Sequence, residues 1–218
     1  MLSAAARPYI DASVPVLREH GVAITTTFYR NLFNEYPELK NLFNMGNQVK
    51  GTQQQSLAAA VFAYAENIAN ADALKPVINR IVHKHASLGI KAEHYPIVGR
   101  HLLGAIKETL GEAATPPLLE AWSEAYGLLA DALIAQEKIL YTDSNSPAGE
   151  LRQVRVIQIR QESERVRSYT LVALDEQQLP SFRPGSTSAL PLISRTARGN
   201  CVNTACLIHR LNRIIAYR

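Results

Sequence analysis

The sequence predicts an all-α domain over residues 1–143, followed by a short β segment and a tail. Through the first part apolar residues recur every three or four positions, which is the spacing of a buried helix face. Residues 151–185 instead contain V-R-V-I-Q-I-R and Y-T-L-V-A-L, whose alternation and β-branched content are typical of strands. The run S-N-S-P-A-G-E at 144–150 has the composition of a linker, so we expect it to join two parts.

Glycine, proline and polar runs divide the helical part into segments. Ser3 is expected to cap a first helix, and Gly21 to end it before a second one begins. Pro37 is expected to begin a short turn of helix, with a polar loop at 44–51 after it. Thr52 is expected to cap the next helix. The remaining helices are predicted near 73–88, 94–110 and 116–141.

The net charge of +4 on these 218 residues comes from the end of the chain. Residues 1–146 carry 12 basic and 14 acidic side chains, whereas residues 186–218 carry five arginines and no acid. The main domain therefore lacks a nucleic-acid footprint. No apolar run approaches the roughly 20 residues that span a bilayer, and we expect no secretory signal. With two cysteines, the composition favours a reducing cytoplasm.

One histidine lies on a predicted apolar helix face. His85 follows Ile78, Ile81 and Val82 at helical spacing, whereas His83 is expected to face solvent. Such a histidine is most often a packed core residue, and that alternative stays open on spacing alone.

Four other residues are candidates for the wall of a pocket opposite His85. Gln53 and Leu57 share one helix face, Tyr29 is a phenol that needs a partner if buried, and Phe43 ends the turn after Pro37. An apolar slot with a histidine on one wall and these side chains on the other suits a flat cofactor that carries a metal. Haem iron takes a proximal histidine, and the distal donors decide what happens to dioxygen.

Several longer motifs resemble one known family. They are F-Y-R-N-L-F-N-E-Y-P-E-L-K-N-L-F-N-M, the Gln53/Leu57 pair, K-H-A-S-L-G-I-K-A-E-H-Y-P-I-V-G-R-H-L-L and A-W-S-E-A-Y-G-L-L-A-D. They are similar to the bacterial flavohaemoglobins, nitric oxide dioxygenases in which an N-terminal globin is fused to an FAD and NAD(P)H reductase. The resemblance covers residues 1–185 and implies a globin fold of six or seven helices.

The resemblance also implies the cofactor and its ligands. It makes His85 the proximal ligand of the iron in haem b. Tyr29, Gln53 and Leu57 become the distal residues around dioxygen, and Phe43 becomes the ring packed on the porphyrin. Tyr29 and Gln53 are thereby assigned to catalysis, and Leu57 and Phe43 to cofactor binding.

Two further residues match the family's partners of the proximal histidine. Tyr95 and Glu137 are also assigned to catalysis: they are implied to hydrogen-bond around His85, and a carboxylate there makes the imidazole more basic. From the sequence alone, Glu137 is equally well a solvent-facing helix residue and Tyr95 a packing residue. His94 and His101 are interpreted as surface or packing residues.

The resemblance stops at Gly185. The family continues with Q-Y, a strand and an R-x-Y-S-L motif that binds FAD. Codons for residues 186–191 and 199–207 can be written so that a one-nucleotide shift reads Q-Y-I-S-V-A and R-Q-L-R-Q-Y-S-L. We therefore expect 151–185 to be the truncated start of the FAD-binding domain. Residues 186–218, with Cys201 and Cys206, are then an out-of-frame, disordered tail, and the chain binds neither FAD nor NAD(P)H.

The implied function is conversion of nitric oxide and dioxygen to nitrate in the cytoplasm. Its electrons need a reductase in trans, because the FAD and NAD(P)H part is missing. Two alternatives stay open, an oxygen-binding or sensing globin without turnover and a truncated product without function.

Overall fold

A computed structural model describes residues 1–43, 45–144, 146–150, 153–164 and 166–175, together with the backbone of 213–217. Within these ranges the helices are α1 (Arg7–Glu35), α2 (Met45–Val49), α3 (Thr52–Glu66), α4 (Ala71–Leu88), α5 (His94–Leu110) and α6 (Pro116–Asp143). The strands are β1 (Val154–Ser163), β2 (Val166–Ala173) and β3 (Arg213–Tyr217). Two compact units result: residues 1–82 with 91–136, and residues 83–90 with the chain from 137 onward.

The first helix is a single element of 29 residues, so the break predicted at Gly21 is wrong. An added Cβ on Gly21 would lie 3.4 Å from the Cβ of Ala58 in α3. The glycine therefore permits the close approach of α3 and does not end a helix. The cap predicted at Ser3 is wrong as well, because the N-cap residue is Ala6; the Ser3 hydroxyl accepts a hydrogen bond from the backbone N–H of Ala6 at 3.1 Å, in the turn before the helix.

The segment between α1 and α3 contains more helix than the sequence predicts. The turn begun by Pro37 is confirmed as a 3-10 helix over Pro37–Leu42. The region predicted as a loop holds α2, and Gly51, with φ of 74°, caps α3 in place of Thr52, which is its first residue. Glycine takes this left-handed conformation without the steric cost that a side chain brings.

The core of the first unit is built from apolar stripes of α1, α3, α4, α5 and α6. Tyr64 belongs to it, and its hydroxyl donates to the backbone oxygen of Ala125 at 2.8 Å. Gly99 lets Tyr126 pack on α5, because a Cβ there would lie 2.5 Å from Cε1 of the ring. Deeply buried members are Ile10, Ile24, Phe28, Leu32, Ala105, Ile106, Trp122 and Ala125.

The sheet of the second unit has the order β1-β2-β3, and both pairings are antiparallel. The strands predicted from V-R-V-I-Q-I-R and Y-T-L-V-A-L are confirmed as β1 and β2, and β1 continues to Ser163. β3 is a strand that the sequence does not predict. Apart from 213–217, the tail predicted at 186–218 lies outside the described residues. Among the helices described above, none is both long and apolar enough to cross a membrane.

Candidate functional site

Tyr29 lies at the centre of an aromatic cluster in the first unit. Its ring centroid is 4.9 Å from that of Phe28, 5.7 Å from that of Phe33 and 5.6 Å from that of Phe43. Phe33 and Phe43 contact each other edge to face at 5.2 Å. The cluster forms because α1 presents residues 28, 29 and 33 on one side, and Pro37–Leu42 turns the chain so that Phe43 returns to them.

Tyr29 and Gln53 are joined by a side-chain hydrogen bond. Only 5% of Tyr29 is exposed, and burial raises the pKa of its phenol to about 12, while the bond to Gln53 opposes part of that rise. The raised pKa keeps the phenol protonated, so Tyr29 is a neutral hydrogen-bond donor beside Gln53.

Leu57 follows Gln53 by one turn of α3. It is half-buried and packs against the apolar core of the first unit. The structure thus brings Tyr29 and Gln53 into contact and places Phe43 on the ring of Tyr29. Leu57 adds an apolar side chain on the same face of α3.

The second unit holds His85, near the end of α4, against an acidic side chain of α6. The Nδ1 atom of His85 lies 2.8 Å from Oε1 of Glu137. The side chain of Glu137 is 3% exposed, against 31% for His85. Glu137 is therefore not the solvent-facing residue that the sequence left open. The carboxylate orients the imidazole and fixes the proton on Nδ1.

The backbone that follows His85 is also held. The amide N–H of Ile90 donates to the carbonyl of His85 at 3.1 Å, and the hydroxyl of Tyr141 donates to the carbonyl of Ile90 at 2.8 Å. Burial and the neighbouring charge of Glu137 raise the pKa of Tyr141 to about 12, so it stays a neutral donor. Tyr141 was not among the predicted site residues, although its position one turn after Glu137 in α6 is readable from the sequence.

Tyr95 is described with the first unit, at the start of α5. It is 6% exposed, and its backbone carbonyl accepts a hydrogen bond from the hydroxyl of Tyr126 at 2.7 Å. Burial raises the pKa of the Tyr126 phenol, so this donor stays protonated. The position of Tyr95 is therefore set from both helices, and its role toward His85 stays a prediction.

The other histidines have the structural roles predicted for them. His83 is exposed. His101 is 7% exposed, and its Nδ1 lies 2.8 Å from the carbonyl of Ile97. The Nδ1 atom of His94 accepts a hydrogen bond from the backbone N–H of Lys91 at 3.1 Å. These contacts account for them without a ligand.

A set of buried polar residues next to Gln53 escaped sequence reasoning. Thr25 donates its hydroxyl to the carbonyl of Gln54 at 2.9 Å. The amide of Gln54 in turn donates to the carbonyl of Gln48 at 3.2 Å and to its Oε1 at 3.1 Å. Single polar residues inside a helical pattern have no spacing signature, so only the spacing of Thr25 from Tyr29, four residues, was available as a signal.

Comparison with known proteins gives the class first. The Globin family profile matches residues 26–133. The structure of a bacterial globin from Campylobacter jejuni is 40% identical, with a TM-score of 0.61, and the match covers 64% of this chain and 99% of that one. The chain belongs to the globin family, and the predicted all-α globin fold is confirmed.

Within that family, the chain is a homologue of flavohemoproteins. The Flavohemoprotein of Chromobacterium violaceum is 53% identical over 188 residues, which is 85% of this chain and 46% of the relative. A flavohemoglobin structure from Malassezia yamatoensis, with bound FAD and heme, is 29% identical with a TM-score of 0.79. That match covers 100% of this chain and 58% of the other. The chain thus spans about half the length of the curated relatives it matches.

Proposed function

We propose that this chain binds haem b through His85 and converts nitric oxide and dioxygen to nitrate. The observation that carries the proposal is the 2.8 Å contact between His85 and Glu137. Burying a carboxylate is costly unless it is paired, and Glu137 is buried, whereas the carboxylate that His101 contacts, on Glu35, is half exposed. Histidines that bind metals commonly donate their second ring nitrogen to a carboxylate.

The donor set fits haem. With Nδ1 directed at Glu137, a metal takes Nε2 of His85, and the carboxylate makes that nitrogen a stronger donor. Globins hold haem iron through such a proximal histidine. Phe43 and Leu57 are the apolar side chains that we assign to the contact with the porphyrin, and Tyr95 is assigned with Glu137 to the support of the histidine.

Tyr29 and Gln53 are assigned to the reacting gases. The hydrogen bond with Gln53 directs the phenol of Tyr29, whose O–H then donates a hydrogen bond to dioxygen. The pKa of about 12 keeps that proton on Tyr29 throughout the physiological range. The aromatic rings around it exclude water, so the donated hydrogen bond is stronger than it is in solvent. Haem, when bound, supplies the redox-active iron at which the two gases combine.

Electron supply sets the second half of the proposal. Formation of nitrate from one dioxygen and one nitric oxide takes up one electron, so sustained turnover needs a donor. We assign residues 151–185 to the truncated start of an FAD-binding domain and 186–218 to an out-of-frame tail. For these 218 residues we assign the electron supply to a flavin reductase that is added separately.

The test compares two histidines two residues apart in α4. His85→Ala is expected to abolish stoichiometric haem binding or to change the ferrous spectrum, whereas His83→Ala, at an exposed position, leaves both unchanged. Nitric oxide consumption is then measured with NADH and an added flavin reductase. An unchanged spectrum in His85→Ala contradicts the proposed ligand. Haem binding without consumption of nitric oxide indicates an oxygen-binding or sensing globin instead.

A further inference from the structure

A buried threonine connects the two helices that carry the distal pair. Thr25 lies one turn before Tyr29 in α1 and is 2% exposed. Its Oγ1 donates to the backbone carbonyl of Gln54 in α3 at 2.9 Å. Since Gln54 adjoins Gln53, this bond joins α1 to α3 beside the Tyr29–Gln53 hydrogen bond.

The hydroxyl of Thr25 does not need α3 in order to find a hydrogen-bond acceptor. The same Oγ1 lies 3.1 Å from the carbonyl of Val22 in its own helix. The neighbouring hydroxyl of Thr26 donates to the same carbonyl of Val22, at 2.7 Å, and has no second acceptor among the hydrogen bonds of the described residues. Thr25 therefore has a partner without leaving α1, and its second acceptor belongs to another helix. The remaining walls of the small cavity that it lines are apolar, among them Gly21, Ile24, Ala58 and Leu102.

The contacts of α1 with α3 follow a regular series. Positions 21, 25 and 29 are spaced by four and share one face of α1. Gly21 meets Ala58 by close approach, Thr25 meets the carbonyl of Gln54, and Tyr29 meets the side chain of Gln53. The middle contact is the one made to a main-chain atom, and it has a fixed length and direction. It therefore sets the position of the first turns of α3 along α1.

We infer that Thr25 is a positioning residue for the distal pair: its hydroxyl ties α3 to α1 so that Gln53 directs the phenol of Tyr29. The consequence for dioxygen rests on the proposed function, whereas the effect on the Tyr29–Gln53 bond does not. Thr25 itself contacts neither gas. Loss of its hydroxyl acts through Tyr29 alone.

Thr25→Val tests the inference, because valine keeps the shape of threonine and removes the hydroxyl. Thr26→Val is the matched control one residue away, and Thr25→Ser restores a hydroxyl. The haem-loaded ferrous protein is prepared with carbon monoxide and ring-labelled ¹³C tyrosine, and Tyr29→Phe assigns the Tyr29 signal. We expect that signal to shift in Thr25→Val, to remain in place in Thr26→Val and to return in Thr25→Ser.

Dioxygen release provides the second measurement. A hydrogen bond of ordinary strength predicts release about two- to tenfold faster in Thr25→Val, and no further change when Thr25→Val is added to Tyr29→Phe. Thermal unfolding of each variant is measured alongside. If Thr25→Val does not fold, Thr25→Cys, with its weak S–H donor, replaces it.

The outcomes separate the inference from the proposed function. An unmoved Tyr29 signal in a folded Thr25→Val overturns the inference. Equal acceleration of release in the Tyr29→Phe background also overturns it, since Thr25 then acts by another route. A moved signal together with a Tyr29→Phe variant that releases dioxygen at the normal rate upholds the positioning role and contradicts the proposed function of Tyr29.

Discussion

Oε1 of Glu137 lies 2.8 Å from Nδ1 of His85, although the two residues are 52 positions apart in the chain. The contact is formed near the last turn of α4 and the last two turns of α6. Because the carboxylate is 3% exposed, its charge is screened little by water and acts mainly on the imidazole. Within the second unit, the pair thus joins α4 to α6 by an electrostatic contact.

Replacing that charge gives the first prediction. Glu137→Gln keeps the size and an acceptor but removes the charge, so His85 becomes a weaker donor. Supporting residues of this kind cost about 10- to 100-fold in metal affinity or activity when altered. We expect haem to transfer faster to apomyoglobin and the ferric/ferrous midpoint potential to rise. Asp131→Asn, at an exposed position of the same helix, is the control. Equal potentials in both variants contradict the role of Glu137.

The phenol of Tyr29 gives the second prediction. A hydrogen bond to a charged partner is worth roughly 1.5–3 kcal/mol, so Tyr29→Phe is expected to speed dioxygen release by about ten- to a hundredfold. Tyr9→Phe, at a position that is 40% exposed, controls for the loss of any phenol. Flash photolysis and stopped-flow mixing measure the rates. Equal release from the Tyr29→Phe and Tyr9→Phe variants rules out the donor role.

Replacing each of two glycines of α5 by alanine is expected to change the free energy of unfolding in opposite directions. A Cβ on Gly99 would lie 2.5 Å from Cε1 of Tyr126, whose hydroxyl is held by the carbonyl of Tyr95. Gly99→Ala is therefore expected to lower the free energy of unfolding by about 1–3 kcal/mol. Gly104 has no atom within 4 Å of such a Cβ, so Gly104→Ala is expected to raise stability by up to about 1 kcal/mol. Urea titration of both variants checks the signs, and a stabilising Gly99→Ala contradicts the packing described for Tyr126.

Regular features of this fold were predictable from the sequence, whereas contacts between distant segments were not. The helices near 94–110 and 116–141 follow from apolar spacing, because that spacing is imposed by the core. Gly21 misled, because a glycine that admits a neighbouring helix has the same local signature as one that ends a helix. The role of Thr25 could not be predicted for a related reason, since its hydrogen-bond partner is a backbone atom 29 residues away.

For the candidate site too, some features could be predicted from the sequence and others could not. The position of His85 on an apolar face could be derived from periodicity, and its role came from the resemblance. The burial of Glu137 could not be derived, because one residue on a long helix faces a direction that only the packing of other elements decides. The low exposure of its side chain, 3%, is the feature that spacing could not supply.

Alkaline pH gives the next prediction. Burial raises the pKa of Tyr64 to about 12, above the usual value of 10.0. Between these pH values the unfolded chain releases this proton and the folded chain keeps it. The contribution of Tyr64 to the free energy of unfolding is therefore fully present below pH 10 and is lost as the pH rises toward 12. The slope is about 1.4 kcal/mol per pH unit for one such group. Tyr64→Phe is expected to flatten the profile of unfolding free energy over this range. The same slope in both proteins shows that Tyr64 ionises equally in the two states.

Electron supply gives the last prediction. If residues 151–185 are only the start of an FAD-binding domain, the purified chain retains no flavin and leaves NADH unchanged in the presence of nitric oxide and dioxygen. Added flavin reductase is expected to restore sustained nitrate formation, with one electron taken up for each nitric oxide consumed. His85→Ala with the same reductase is the control, because any reaction of free flavin with dioxygen continues in it. NADH oxidation by the chain alone, or yellow flavin that persists through gel filtration, means that this chain carries its own electron path.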